Sequence, residues 1–82
     1  MSTQKLIAAM SAHTSTRAGK LALLWIAHTA SDSGECLTRD EALAEFCDLH
    51  EIDVPAVLDE LDWHSHLTYC GDRRRRRIQL HI

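Results

Sequence analysis

The sequence predicts a small α+β domain, mainly helical, with three core helices, a C-terminal β-hairpin and a short helix ahead of them. Two observations carry this. Between residues 15 and 65 apolar residues recur at helical spacing in three separate stretches, and after residue 66 the spacing switches to strict alternation. A third fixes the scale: 82 residues with 45% apolar content, three Gly and one Pro make one ordered domain with a limited core. Residues 1–14 form an N-terminal segment and residues 15–82 the domain proper.

Within residues 3–13 Leu6, Ile7 and Met10 share one side of a short helix that Ser2 or Thr3 can cap. The first core helix follows a cap at Ser15 or Thr16. Its expected buried stripe is Ala18, Leu21, Leu24, Trp25 and His28, broadened by Leu23 and Ile26. The run SDSG at 31–34 ends it. ECLT, 35–38, is short enough for a small strand. Thr38 and Glu41 have capping-box spacing for the second core helix, whose buried side is expected to be Ala42, Leu43, Phe46 and Cys47. Asp53 is the expected cap of the third, Pro55 fits its first turn, and Val54, Val57, Leu58 and Leu61 form its core face.

The last stretch has strand period. Leu67 and Tyr69, then Ile78, Leu80 and Ile82, alternate with Thr68, Cys70, Gln79 and His81. With Tyr69 facing Leu80 and Leu67 facing Ile82, the turn centres between Arg74 and Arg75, in a loop longer than a tight two-residue turn. Arg73 to Arg77 then occupy the tip of a hairpin, and a floppy basic tail is excluded by the IQLHI that follows them.

The segment LTRDEALAEFCDLHEIDVPAVLDELDWHSHLTYCGDRRRRRIQLHI resembles the winged helix-turn-helix family. The order of helix, short strand, helix, turn, helix and hairpin covers roughly residues 17–82. Leu58 and Leu61 match the family's leucine pattern in its recognition helix, Ser65 stands where glycine is common, and Leu67 takes the apolar exit position. The resemblance implies a small DNA-binding regulator of transcription or replication, of the size common in bacteria, phages and plasmids. It implies a wing that contacts phosphates and minor groove, here through Arg73, Arg74, Arg75, Arg76 and Arg77. Arg39 and His64 complete the expected DNA-contacting set. One departure stands out: the outward positions of the third core helix are Asp53, Ala56, Asp59, Glu60, Trp63 and His64, which offer no bidentate donor to a base edge.

Charge is strongly segregated. The net charge is −3, yet residues 40–62 hold nine carboxylates and no Lys or Arg, while the arginine run supplies five of nine basic residues. An alternative function follows, a protein-binding adaptor or inhibitor that docks through acidic helices. Trp63, Asp59, Glu60 and Trp25 are its candidate interface residues. Trp63 lies opposite Val54 on the helical wheel and is expected to pack under the hairpin or the N-terminal segment; left exposed, it marks an interface. Alternation along a strand keeps all five arginines from facing one surface, so only two or three reach DNA at once, and a homodimer or a larger assembly is implied if DNA is the target.

The remaining chemistry is sparse. Three cysteines, an odd number without CxxC spacing, fit a reducing cytoplasm. No signal peptide and no membrane-length apolar run are read. His64, His66, Cys70 and His81 lack zinc-type spacing, and a helix would send His64 and His66 to different sides, so no metal or other cofactor is expected. No catalytic motif is present, and the expectation is a non-enzyme.

Overall fold

The computed structural model describes residues 3–82. Helix α1 (Thr3–Ser11) leads into α2 (Arg17–Thr29), strand β1 (Glu35–Thr38) and α3 (Asp40–Cys47). A 3-10 turn (Glu51–Asp53) then runs into α4 (Val54–Trp63), and strands β2 (Leu67–Asp72) and β3 (Arg75–Leu80) complete the domain. The sheet is antiparallel in the order β1-β3-β2, so the last strand lies between the other two. Helices cover one face of it. The core is Leu23, Ile26, Leu43, Val54, Leu58, Leu61, Leu67, Ile78 and Leu80, with smaller residues between them. Ser2, an alternative cap for α1, lies outside the described residues. No helix among the described residues is long and apolar enough to cross a membrane.

Thr16 caps α2, its side chain accepting from the Gly19 N–H at 2.9 Å. The buried side of α2 differs from the expected stripe. Gly19, Ala22, Leu23, Ile26 and Ala27 face the core, while His28 is exposed, Leu21 is 40% exposed, and Leu24 and Trp25 are half-buried. The face turned inward is the one with small residues, which let the helix approach its neighbours closely. The bulkier residues are displaced to the flank, where α1 packs. Lys20 secures that packing: its ammonium donates to the carbonyls of Ala9, Met10 and Ala12 at 2.7–2.9 Å and satisfies the C-terminal end of α1.

The capping box expected at α3 does not form. Thr38 is committed to β1, opposite Arg76, and Arg39 occupies the N-cap without a side-chain bond. The first free N–H of the helix, that of Asp40, instead donates to the Arg73 carbonyl at 2.9 Å, so the hairpin tip caps α3. Phe46, expected inside, is 51% exposed, with its ring 6.4 Å from that of Trp25. Asp53 makes no capping bond either, because the 3-10 turn brings its backbone into helical geometry before α4 begins. The core face of α4 is as expected at Val54, Leu58 and Leu61, with Val57 half-buried.

Both α3 and α4 end in left-handed residues that are not glycine, Asp48 (φ 56°) and Ser65 (φ 62°). At Ser65 the paired bonds His66 N–H to Leu61 carbonyl (3.0 Å) and Ser65 N–H to Asp62 carbonyl (2.9 Å) define a Schellman stop. A left-handed L-residue costs about 1–2 kcal/mol relative to glycine, offset in part by glycine's greater unfolded-state entropy. Ser65→Gly is therefore expected to stabilise the domain by about 0.5–1 kcal/mol in urea titration. A destabilised variant would contradict this account of the stop.

The hairpin register corrects the expected one by two residues. Leu67 pairs with Leu80 and Tyr69 with Ile78, so the turn centres between Arg73 and Arg74. Only those two residues are unpaired, and the turn is tight. The Asp72 side chain accepts from the Arg74 N–H at 2.9 Å and closes it. Gly71 (φ 93°) takes the left-handed position next to the turn, where a Cβ would collide with the Arg75 carbonyl oxygen.

Candidate nucleic-acid interface

The register divides the five arginines. Arg73 and Arg74 form the turn, and Arg75, Arg76 and Arg77 lie in β3. Strand alternation turns Arg75 and Arg77 outward and Arg76 inward, beside Ile78 and Leu80.

Arg76 is only 9% exposed and Asp40 1%. The guanidinium grips the carboxylate with two parallel bonds, Nε to Oδ1 at 2.8 Å and Nη2 to Oδ2 at 3.0 Å. Its Nη1 donates to the Gly71 carbonyl at 2.8 Å, and its charge lies 5.5 Å from the Tyr69 ring centroid. The Asp40 bond raises the Arg76 pKa above its already high value. With its fork engaged inside the fold, Arg76 leaves the set of arginines able to meet a phosphate. What it does is fasten the hairpin to the start of α3.

Tyr69 extends this network by donating its hydroxyl to Asp59. That bond first, then burial and the Asp59 charge, push the Tyr69 pKa up to about 12. Because the folded value is raised, its contribution to stability is present below the unfolded tyrosine value of about 10 and is lost as pH rises towards about 12. Alkaline titration of unfolding should show stability falling across that window, and Tyr69→Phe should remove that component of the fall. An unchanged alkaline profile in the variant would count against the network.

Around the anchor lies the exposed charge. Arg39, Arg73 and Arg74 line a shallow depression of about 400 Å³ with Glu41 and Glu51. Arg39 arrives there as the N-cap of α3, and the arginine pair through the tip-to-helix bond. Arg75 and Arg77 continue the positive surface onto the outer face of the sheet, beside Leu37 and Cys70. Arg77 has one distant contact, 3.9 Å to Glu35, with both groups open to solvent, so it contributes little and leaves the cation available. Arg39, Arg73 and Arg74 thus share one depression with Arg75 and Arg77 on the adjoining sheet face, and the fold brings Arg39 to the run from a distant point in the sequence.

His64 is elsewhere. It follows α4, its Nε2 2.7 Å from the Ser15 hydroxyl. Its ring stacks on His66 at 6.0 Å between centroids, where opposite directions were expected; the helix has stopped at Trp63, so helical spacing no longer separates them. His66 Nε2 donates to the His13 carbonyl at 2.6 Å, and His81 Nε2 lies 3.1 Å from the Thr68 hydroxyl. Among the described residues no three His, Cys, Asp or Glu side chains gather in a metal-binding group. Burial pushes the Cys36 and Cys47 thiols up, whereas Cys70 is exposed.

The acidic candidates have internal duties. Glu60 accepts from the Ser15 N–H (2.9 Å) and the Thr16 hydroxyl (3.0 Å), fixing the entry to α2. Asp59 accepts from Tyr69. Trp25 is half-buried in an apolar groove of about 400 Å³ with Leu6, Met10, Leu24, His28 and Phe46. Trp63, expected to pack under the hairpin or the N-terminal segment, is 85% exposed. The inward side of α4 is already filled by Val54, Leu58 and Leu61, and Trp63 lies about opposite to them on the wheel.

Neither family models, nor curated proteins, nor solved structures provide a match to this chain.

Proposed function

We infer that this chain is a winged helix-turn-helix domain that binds double-stranded DNA through its arginine edge, as a small cytoplasmic regulator of transcription or replication. The fold reading is supported by the element order, two helices joined by a short turn and followed by a hairpin, and by the first strand pairing with the last. The observation that carries the function is the convergence of Arg39, Arg73 and Arg74 on one depression, where the three guanidiniums outnumber the carboxylates of Glu41 and Glu51. Phosphates seated there would meet Arg side chains at the N-terminal end of α3, where the helix dipole also favours negative charge. Arg75 and Arg77 follow the backbone outward, and Arg76 holds the wing in place.

The helix α4 contributes no positive charge, since its outward residues include Asp53, Asp59 and Asp62. Carboxylates repel the phosphate backbone, so the duplex lies against the wing edge and sequence discrimination is modest. Two bound copies would double the contacts. Fluorescence anisotropy with random and A·T-rich duplexes at two salt concentrations tests the reading. Binding at low salt that weakens steeply as salt rises is expected, and no binding at low salt would overturn it.

A further inference from the structure

We propose that the outward face of α4 is a docking surface for a basic, amphipathic segment of a partner protein. Ile52 and Trp63 are each 85% exposed, and Ala56 between them is exposed as well. Ala56 and Trp63, seven residues apart, lie on the side of α4 opposite the core residues Val54, Leu58 and Leu61, with Asp59 and Glu60 between them, and Ile52 stands at the far end in the leading 3-10 turn. Among the described residues these apolar side chains are left open to solvent, as a ridge punctuated by carboxylates. A large exposed aromatic and a large exposed aliphatic on one rigid helix face are the residues that anchor protein interfaces.

The charge around the ridge selects the partner. Asp48, Glu51, Asp53, Asp59 and Asp62 are all exposed, and residues 40–72 contain no Lys or Arg. A segment that buries apolar side chains against Trp63 and Ile52 must therefore place its own flanking residues among carboxylates. Lys or Arg at those flanks gains attraction, and Asp or Glu is rejected. The same field disfavours a second copy placed ridge to ridge, which would bring two acidic rims together, and it disfavours nucleic acid. Of these carboxylates Glu51 also borders the arginine depression, whereas Trp63, Asp59 and Asp62 do not line it, and the proposal does not depend on DNA binding. Asp59 accepts from Tyr69 and remains exposed, so one carboxylate of the rim is held in place.

The probe is a synthetic leucine–lysine amphipathic helix, titrated into the full chain by calorimetry and by amide chemical-shift mapping. Saturable binding is expected, with the largest shifts at Ile52, Ala56, Asp59 and Trp63. Trp63→Ala should weaken it about 10–30-fold, and Ile52→Ala should weaken it by a smaller factor. Both side chains point to solvent, so folding is retained and circular dichroism verifies it. Asp53→Asn with Asp62→Asn should weaken binding and flatten its salt dependence. A glutamate version of the peptide should not bind. The proposal is overturned by equal affinity for Trp63→Ala and wild type, by shifts centred on the Trp25–Phe46 groove, or by Trp63-dependent self-association in light scattering without peptide binding. Arg73→Ala with Arg74→Ala should leave peptide affinity unchanged, which separates this surface from the DNA reading.

Discussion

Arg76→Ala is expected to be the most damaging single replacement within the arginine run, lowering stability by about 3–5 kcal/mol. The reason is the group left behind. Asp40 is 1% exposed, and its two oxygens face the Nε and Nη2 of Arg76. Without the guanidinium a carboxylate is stranded out of water, which costs far more than the pair contributes beyond an apolar alternative. The Gly71 carbonyl loses its donor in the same step. A small domain holds only about 5–15 kcal/mol in total, with the smallest at the low end, so the variant sits near the folding threshold. At about 4–8 °C per kcal/mol for this size, the melting temperature should drop by well over ten degrees. Arg73→Ala and Arg74→Ala, at exposed turn positions, should each stay within about 0.5 kcal/mol of wild type. Replacing both partners, Asp40→Leu with Arg76→Met, should recover most of the loss, because neither member is then stranded. Urea unfolding reads all of these. A midpoint for Arg76→Ala equal to that of wild type would remove the anchor from this description of the fold.

This contrast between Arg76 and its neighbours shows where the sequence was informative. The inward face of α4 was legible because Val54, Leu58 and Leu61 are large, apolar and correctly spaced. The hairpin was legible because Ile78, Leu80 and Leu67 alternate with polar residues. The register was not, since five identical side chains give no local mark of inside and outside. Counting back by two from Leu80 and Ile78 does reach Arg76, so parity held the signal, but a charged residue at an inward position argues against itself until its partner is known. That partner, Asp40, is 36 residues away and looks in sequence like one more acid in a helix's first turn. Burial of a charge is decided by a nonlocal pairing, and no window on the sequence contains both members. The α2 face failed for a different reason. Hydrophobic size pointed to Leu21 and Leu24, whereas close packing selected Gly19, Ala22 and Ala27.

The anchor also changes what the arginine run can do. A mobile tip would lose conformational entropy on meeting a phosphate, which subtracts from affinity. Here the tip is a tight turn, closed by Asp72, hydrogen-bonded to the first turn of α3 and held from below by Arg76. The positions of Arg73 and Arg74 relative to Arg39 are fixed by the backbone, leaving only side-chain rotamers to order. The acidic α4 and the basic edge are consequently held apart on one rigid body, and neither neutralises the other.

Arg73→Ala, Arg74→Ala, Arg75→Ala and Arg77→Ala combined, with Arg76 retained, should abolish most DNA affinity while leaving the fold intact. Each arginine that neutralises one phosphate releases counterions and adds about 0.9 to the slope of log K against log salt. If two or three of the outward arginines engage together with Arg39, the wild-type slope should be about −2.7 to −3.6, and the combined variant should retain a slope of about −0.9. At low salt this corresponds to an affinity loss of about 30- to 160-fold, at about 1 kcal/mol for each of the two or three contacts removed. Single replacements should then rank by position. Arg73→Ala and Arg74→Ala share the depression with Arg39 and should cost most, whereas Arg77→Ala, facing Glu35, should cost least. Retaining Arg76 is essential to the design, because its removal would unfold the wing and mimic a lost contact. Anisotropy titrations across a salt series, with circular dichroism of each variant, separate the two effects. A folded quadruple variant whose affinity and salt slope match wild type would show that the arginine edge is not where phosphate binds.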